Sequence, residues 1–278
     1  MIGGMADLIT DPITDWDAAY HNGALEADPA AIFADWAARA AAFRAAARGD
    51  RDIAYGAHPR ETYDLFLPEA APKGLMVFIH GGYWKAMDKE HSSHFSAGAL
   101  ARGWAAAVLG YPLCPEARIA AITRSVARAV EAAAARVPGP VALTGHSAGG
   151  HLAARMLCAD APLSAETAAR IARVASLSGV HDLRPLMRTA MNAVLRLDEA
   201  EATAESPALL RPRPGARLLA YVGADELPEF RRQNALIATI WTGLGADCAA
   251  QEAHGLRHFG VVEGLCAGDS GLTRWLTA

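Results

Sequence analysis

A chain of alternating strands and helices built on one mostly parallel sheet is what this sequence predicts, and three observations predict it. Short apolar runs recur along the chain, segments with helical periodicity separate them, and turn residues mark the junctions. The runs begin at "ETYDLFLP" and "GLMVFIH", the latter leading into "GGYW", and continue with "WAAAVLG" from Trp104. Ile119, Ile122, Val126, Val130, Ala133 and Val137 then recur at steps of three and four until Pro138-Gly139-Pro140 stops them, which predicts an amphipathic helix between two strands. "VALTG", "ARVASLSG" and "ARLLAYVG" supply further buried strands, and helical patterns run from Ala148 to Cys158 and from Phe230 to Leu244. Nearly continuous apolar strands of this kind suit a parallel sheet covered on both faces. The first fifty residues differ. Ile32, Phe33, Trp36, Ala40 and Phe43 share one face of an alanine-rich helix and no strand signal is seen, so residues 1–50 are expected to form a helical N-terminal cover on a single domain spanning residues 1–278.

Composition narrows the function. At 278 residues, 52% hydrophobic and 20% charged, the chain can bury one large core. Its formal charge of −4 and scattered Lys and Arg offer no basic field, so nucleic acid is not an expected partner. Cys114, Cys158, Cys248 and Cys266 form no CxxC pair, which suggests neither a zinc ribbon nor a disulfide framework and fits a reducing cytoplasm. The start "MIGGMADLITDPITDWD" lacks the pattern of a signal peptide and no later run approaches a membrane span, so a soluble, unexported protein is expected. The expected partners are a small-molecule substrate and, at most, a second copy in a homodimer.

The most informative stretch is "VALTGHSAGGHLAARM" from Val141. A GxSxG pattern is a weak signal in a chain with 25 glycines, but here it falls between a strand and a helix. That is where a nucleophile elbow lifts a serine, Ser147, clear of the sheet. A serine hydroxyl needs a base to take its proton, and the base needs an acid to orient it. In hydrolases with this elbow the order is Ser, acid, His. Near the C-terminus "GLRHFGVVEGL" places His258 in a loop before a terminal helix, and it is preferred to His254, which ends the strand-like "CAAQEAH". Three acids follow strands: Asp182, Asp225 and Glu226. Only one of the adjacent pair can meet the imidazole, leaving the other to solvent or to cap the helix starting near Pro228. "HGGYW" follows the "GLMVFI" strand, so Gly81, Gly82 and Ala148 are the expected backbone donors of an oxyanion hole. Tyr83 and Trp84 are placed to stack on an aromatic leaving group, although packing against the N-terminal helices accounts equally well for Trp84. His91 and His94 in "HSSH" have no acidic partner at ligand spacing, so no metal and no cofactor are expected.

These pieces resemble the kynurenine formamidase, or arylformamidase, family of α/β-hydrolases. The likeness extends over most of the chain through "AYGAHPRETYDLFLP", "HGGYW", "YPLCP", "GHSAGGHLAARM", "SGVHDLRPL", "SPALL", "PEFRRQ" and "HFGVVEGL". It implies an α/β-hydrolase fold and a metal-free serine hydrolase acting on small acyl groups. The leading substrate it implies is N-formyl-L-kynurenine in tryptophan catabolism; a carboxylesterase acting on small esters is the alternative, and a binding protein that has lost its chemistry a more distant one. The resemblance implies Ser147 as nucleophile, His258 as base and Glu226, two residues before the proline of "PEF", as acid. This chain departs from the family there, because the animal members carry aspartate at that position. Asp225 stays the alternative acid, and Asp182 becomes a cap or loop residue.

Overall fold

A computed structural model describes residues 12–278; residues 1–11 of the expected N-terminal cover lie outside the described part. Its sheet has eight strands: β1 (Gly49–Ala54), β2 (Thr62–Phe66), β3 (Leu75–Ile79), β4 (Ala105–Leu109), β5 (Val141–His146), β6 (Ile171–Leu177), β7 (Arg217–Gly223) and β8 (Asp247–Ala253). Their order is β1-β2-β4-β3-β5-β6-β7-β8. The β1–β2 and β2–β4 pairs are antiparallel and all other pairs are parallel. This is the α/β-hydrolase fold. The period-two rule of strands divides the core into two layers. Leu75, Val77 and Ile79 of β3 join Leu109 and Val130 on one face, while Met76 and Phe78 join Val108 and Trp36 on the other.

The first layer is covered by the helices Ile119–Arg136, Ala148–Arg155 and Pro228–Gly243. Ile119, Ile122, Val126, Val130 and Ala133 form the buried stripe of the first of these, as their spacing predicts. The opposite layer is closed by the helices Pro29–Ala46 and Gly271–Leu276. Pro29 takes the first position of its helix, where a missing N–H costs nothing, and the Asp28 carboxylate caps it by accepting from Ala31 N at 3.0 Å. Trp36 and Ala40 are its buried residues. Among the described residues no helix is long and apolar enough to cross a membrane.

One strand without an apolar signal begins at the end of the segment expected to be helical, taking Gly49 and Asp50 from it. β1, "GDRDIA", is an edge strand that pairs only with β2, and its side chains alternate between exposed and half-buried. Charged residues and a register irregularity between Asp50 and Ile53 leave it without an apolar signature, the usual form of a protected edge. Its neighbour β2 carries a fully buried Asp64. That carboxylate accepts from Asp52 N at 3.0 Å and pairs with Lys89 at 3.0 Å and with Arg44 at the end of the cover helix. The cover is therefore fastened to the sheet by a buried charge as well as by Trp36. Asp64→Ala leaves a nearly buried Lys89 with one fewer partner and is expected to cost about 3 kcal/mol or more, read as a lower denaturation midpoint in urea.

Candidate active site

The loops that follow β3, β5 and β8 line one cavity of about 630 Å³, roofed by the N-terminal segment. Ser147 lies between β5 and the helix Ala148–Arg155 with φ of +56° and ψ of −117°. Its N–H donates to Leu177 O on the adjacent strand at 2.7 Å, and its carbonyl accepts from His151 N. The turn exists because its flanking glycines have no side chains. A Cβ on Gly145 would lie 2.3 Å from Gly149 O, and one on Gly149 would lie 2.0 Å from Ile79 O.

His258 shares the cavity with Ser147, and its Nδ1 is 2.7 Å from Glu226 Oε2. The other oxygen, Oε1, accepts from Gly223 N at 2.8 Å and from Ser178 Oγ at 2.5 Å. Three hydrogen bonds thus fix this carboxylate, which holds it as an acceptor for an Nδ1–H. Glu226, rather than Asp225, meets the imidazole. Asp225 is exposed, and the helix that follows has no side-chain cap at its start, so Asp225 neither orients His258 nor caps. His254 is also exposed and lies outside the cavity. The Asp182 carboxylate is occupied by Arg184 at 2.9 Å and serves its own loop.

Gly81 packs on the elbow, where a Cβ would sit 2.8 Å from His146 O and 3.2 Å from Ser147 Cβ. Gly82, with φ of +98°, lines the cavity beside Ser147. Ala148 opens its helix, so its N–H has no acceptor within the helix. Tyr83 also lines the cavity; its hydroxyl donates to Tyr20 O at 2.6 Å and accepts from Asn22 Nδ2 at 3.5 Å. Burial pushes that hydroxyl well above the usual tyrosine range. Trp84 corrects the stacking expectation. It is fully buried in the core beneath the loop, with Nε1 donating to His151 Nδ1 at 3.3 Å, and it does not line the cavity. Successive side chains of an irregular loop diverge, and here only Tyr83 points outward. His91 and His94 are engaged separately: His91 bonds Asp88, and His94 packs on Phe95.

Residues with no local sequence signal complete the site. Ser178 comes from the loop after β6, while Tyr20, His21 and Asn22 come from the cover. Tyr20 is held by its hydroxyl donating to the buried Glu229 at 2.7 Å. Behind the site, His80, His151 and His181 are fully buried. Burial lowers each of them to about 3.

Fold and site together define an enzyme of the α/β-hydrolase class. The BD-FAE family profile matches residues 63–209, more than half of the chain, and the chain belongs to that family. It is 28% identical to the kynurenine formamidase of Salmo salar over 236 residues, covering 81% of this chain and 80% of that one. A crystal structure from Silicibacter sp., provisionally designated a thioesterase, superposes with a TM-score of 0.90 at 44% identity, covering 95% of this chain and 99% of that one. Esterase B of Lactobacillus rhamnosis, 20% identical, shares the fold with a TM-score of 0.64 over 90% of this chain and 93% of its own.

Two outcomes are expected from this geometry. Glu226→Gln should lower turnover on the order of a thousandfold or more by favouring the wrong imidazole tautomer, whereas Asp225→Asn should stay within about threefold of wild type; steady-state kinetics with circular dichroism compares them. The three low-pKa histidines act on stability. As pH falls through about 6.5 the unfolded chain binds protons that the folded chain refuses until near 3. Each should therefore remove on the order of 1 kcal/mol of stability between about pH 7 and 5.5, measured by urea melts at each pH.

Proposed function

We propose that the chain is a serine hydrolase of small acyl groups, with aryl formamides, N-formyl-L-kynurenine foremost, as its substrates. The observation that carries this reading is Ser147 on its elbow in one cavity with a His258 held at Nδ1 by a buried Glu226. Ser147 Oγ attacks the formyl carbon while His258 Nε2 takes its proton. The carbonyl oxygen becomes an oxyanion facing the N–H groups of Gly82 and Ala148, with Gly81 shaping that loop. Collapse of the tetrahedral intermediate breaks the C–N bond, and His258 returns the proton to the leaving aryl amine. Water, deprotonated by His258, then attacks the formyl-serine and releases formate. Neither step needs a metal or cofactor. Tyr83 offers its ring to an aromatic leaving group from the cavity wall. The name borne by the Salmo salar relative supports the formamide.

A small-ester substrate is the second reading, and one observation favours it. Apart from His21, His146 and His258, the titratable acids and bases lining the cavity are Asp15, Asp17, Tyr20 and Tyr83. Two carboxylates at the mouth suit an ammonium or an uncharged leaving group and give an amino-acid carboxylate no cationic partner. For location, we assign the protein to the reducing cytoplasm, supported by four cysteines that are all unpaired.

Purified protein assayed on N-formylkynurenine, formanilide and p-nitrophenyl acetate orders the substrates by kcat/KM. The formamides are expected to lead, and Ser147→Ala and His258→Ala are each expected to abolish most turnover without adding when combined. Full activity in folded Ser147→Ala would remove the proposal, and a lead by the acetate would move it to the ester.

A further inference from the structure

The residue before the nucleophile has no part in the chemistry above, yet it connects two of its members. His146 ends β5 and is 4% exposed. Its Nε2 lies 2.8 Å from the backbone carbonyl of His258. A carbonyl oxygen can only accept, so Nε2 must carry the proton, and the ring is the neutral Nε2–H tautomer or the doubly protonated cation. Burial, reinforced by the nearby His258, holds its pKa well below the histidine range, which selects the neutral tautomer. The two imidazoles are in contact, with ring centroids 4.6 Å apart and planes inclined at 45°. Trp36 packs edge-on against the other side of His146 at 6.0 Å, and Phe259 lies 6.3 Å away.

Two tethers therefore hold His258. Glu226 fixes the imidazole at Nδ1, and His146 fixes the backbone of the loop that carries it. The second starts from the residue bonded to Ser147, so the distance between nucleophile and base is spanned by one rigid side chain rather than by the 110 residues of chain between them. The groups around His146 agree with this role. Glu226 is directed at His258, Trp36 and Phe259 are uncharged, and the remaining neighbour is the glycine loop at Gly81. A second cation beside the imidazolium that forms on His258 would oppose proton transfer, and a neutral His146 avoids it.

We propose that His146 is a positioning residue, which registers the His258 loop to the Ser147 elbow through its Nε2–H and thereby sets the reactivity of the nucleophile. The proposal rests on the serine-hydrolase reading, so its test reads nucleophile activation without reference to the natural substrate. The measurement is the rate at which a fluorophosphonate probe labels Ser147 in the full-length protein. His146→Phe keeps ring volume and loses the donor, and it is expected to label about a hundredfold more slowly, the effect of about 1 Å of misplacement. His146→Gln places an amide N–H at comparable reach and is expected to recover to within about fivefold of wild type. In a Glu226→Gln background the His146→Phe change should cost less than about threefold, because both tethers serve the same imidazole. If His146→Phe does not fold, His146→Met removes the donor in a flexible side chain of similar volume and takes its place. Equal labelling of wild type and the folded donorless variant overturns the proposal, as does a Gln variant as slow as Phe, or a full hundredfold loss in both backgrounds. A wild type that never labels, with its fold intact, overturns the serine-hydrolase reading together with this one.

Discussion

The site depends on a steric exclusion at the end of β5. Ser147 is held at a positive φ, a conformation that costs a non-glycine residue on the order of 1–3 kcal/mol. It persists because the strand, the turn and the following helix are packed so closely that Gly145, Gly149 and Ile79 share backbone contacts where no Cβ fits. The same closeness aims the serine outward and leaves the first N–H of the helix without an intrahelical acceptor. It also brings Gly81 against the elbow. The proposed nucleophile and oxyanion donors are thus consequences of a single crowded junction between β3 and β5.

Around that junction the protein keeps its charges separated. His80, His146 and His151 are buried and held neutral, each with a ring nitrogen committed to a carbonyl: those of Gly81, His258 and Glu205. They act as hydrogen-bonding spacers that stay silent at neutral pH. Glu226 is the carboxylate bonded to His258, and it sits in a ring of donors from the ends of β6 and β7. A base so placed can gain a proton without competition from neighbouring cations.

The cover supplies what the sheet cannot. Tyr20 and Asn22 meet Tyr83 of the loop after β3, while Trp36 packs on His146. The cover is secured at both ends. Arg44 pairs with the buried Asp64, and Tyr20 donates to the buried Glu229. The cavity walls are therefore shared between loops at the ends of the strands and a helical segment held by apolar packing of Phe33, Trp36 and Phe43 as well as by these polar bonds, and the carboxylates Asp15 and Asp17 belong to that segment.

Periodicity and motif were enough to read most of this architecture. Nearly continuous apolar runs, the stripe Ile119 to Ala133 and the Gly-Ser-Gly junction are local patterns, and local patterns survive in the sequence because each residue's burial is set by its own element. β1 escaped because an edge strand needs backbone partners on one side only and carries no apolar code. The placing of Glu226 rather than Asp225 at His258 could be inferred from resemblance, yet the residues alone left both open, since which of two neighbours turns inward depends on how the loop after β7 meets β8. Trp84 was open for the same reason: only the packing of its loop on His151 shows that it faces the core. Ser178, His146 and the Tyr20–Tyr83 bond join segments separated by 48, 112 and 63 positions along the chain. Contacts of that separation are produced by the closing of the sheet and its cover, and no short stretch of sequence encodes them.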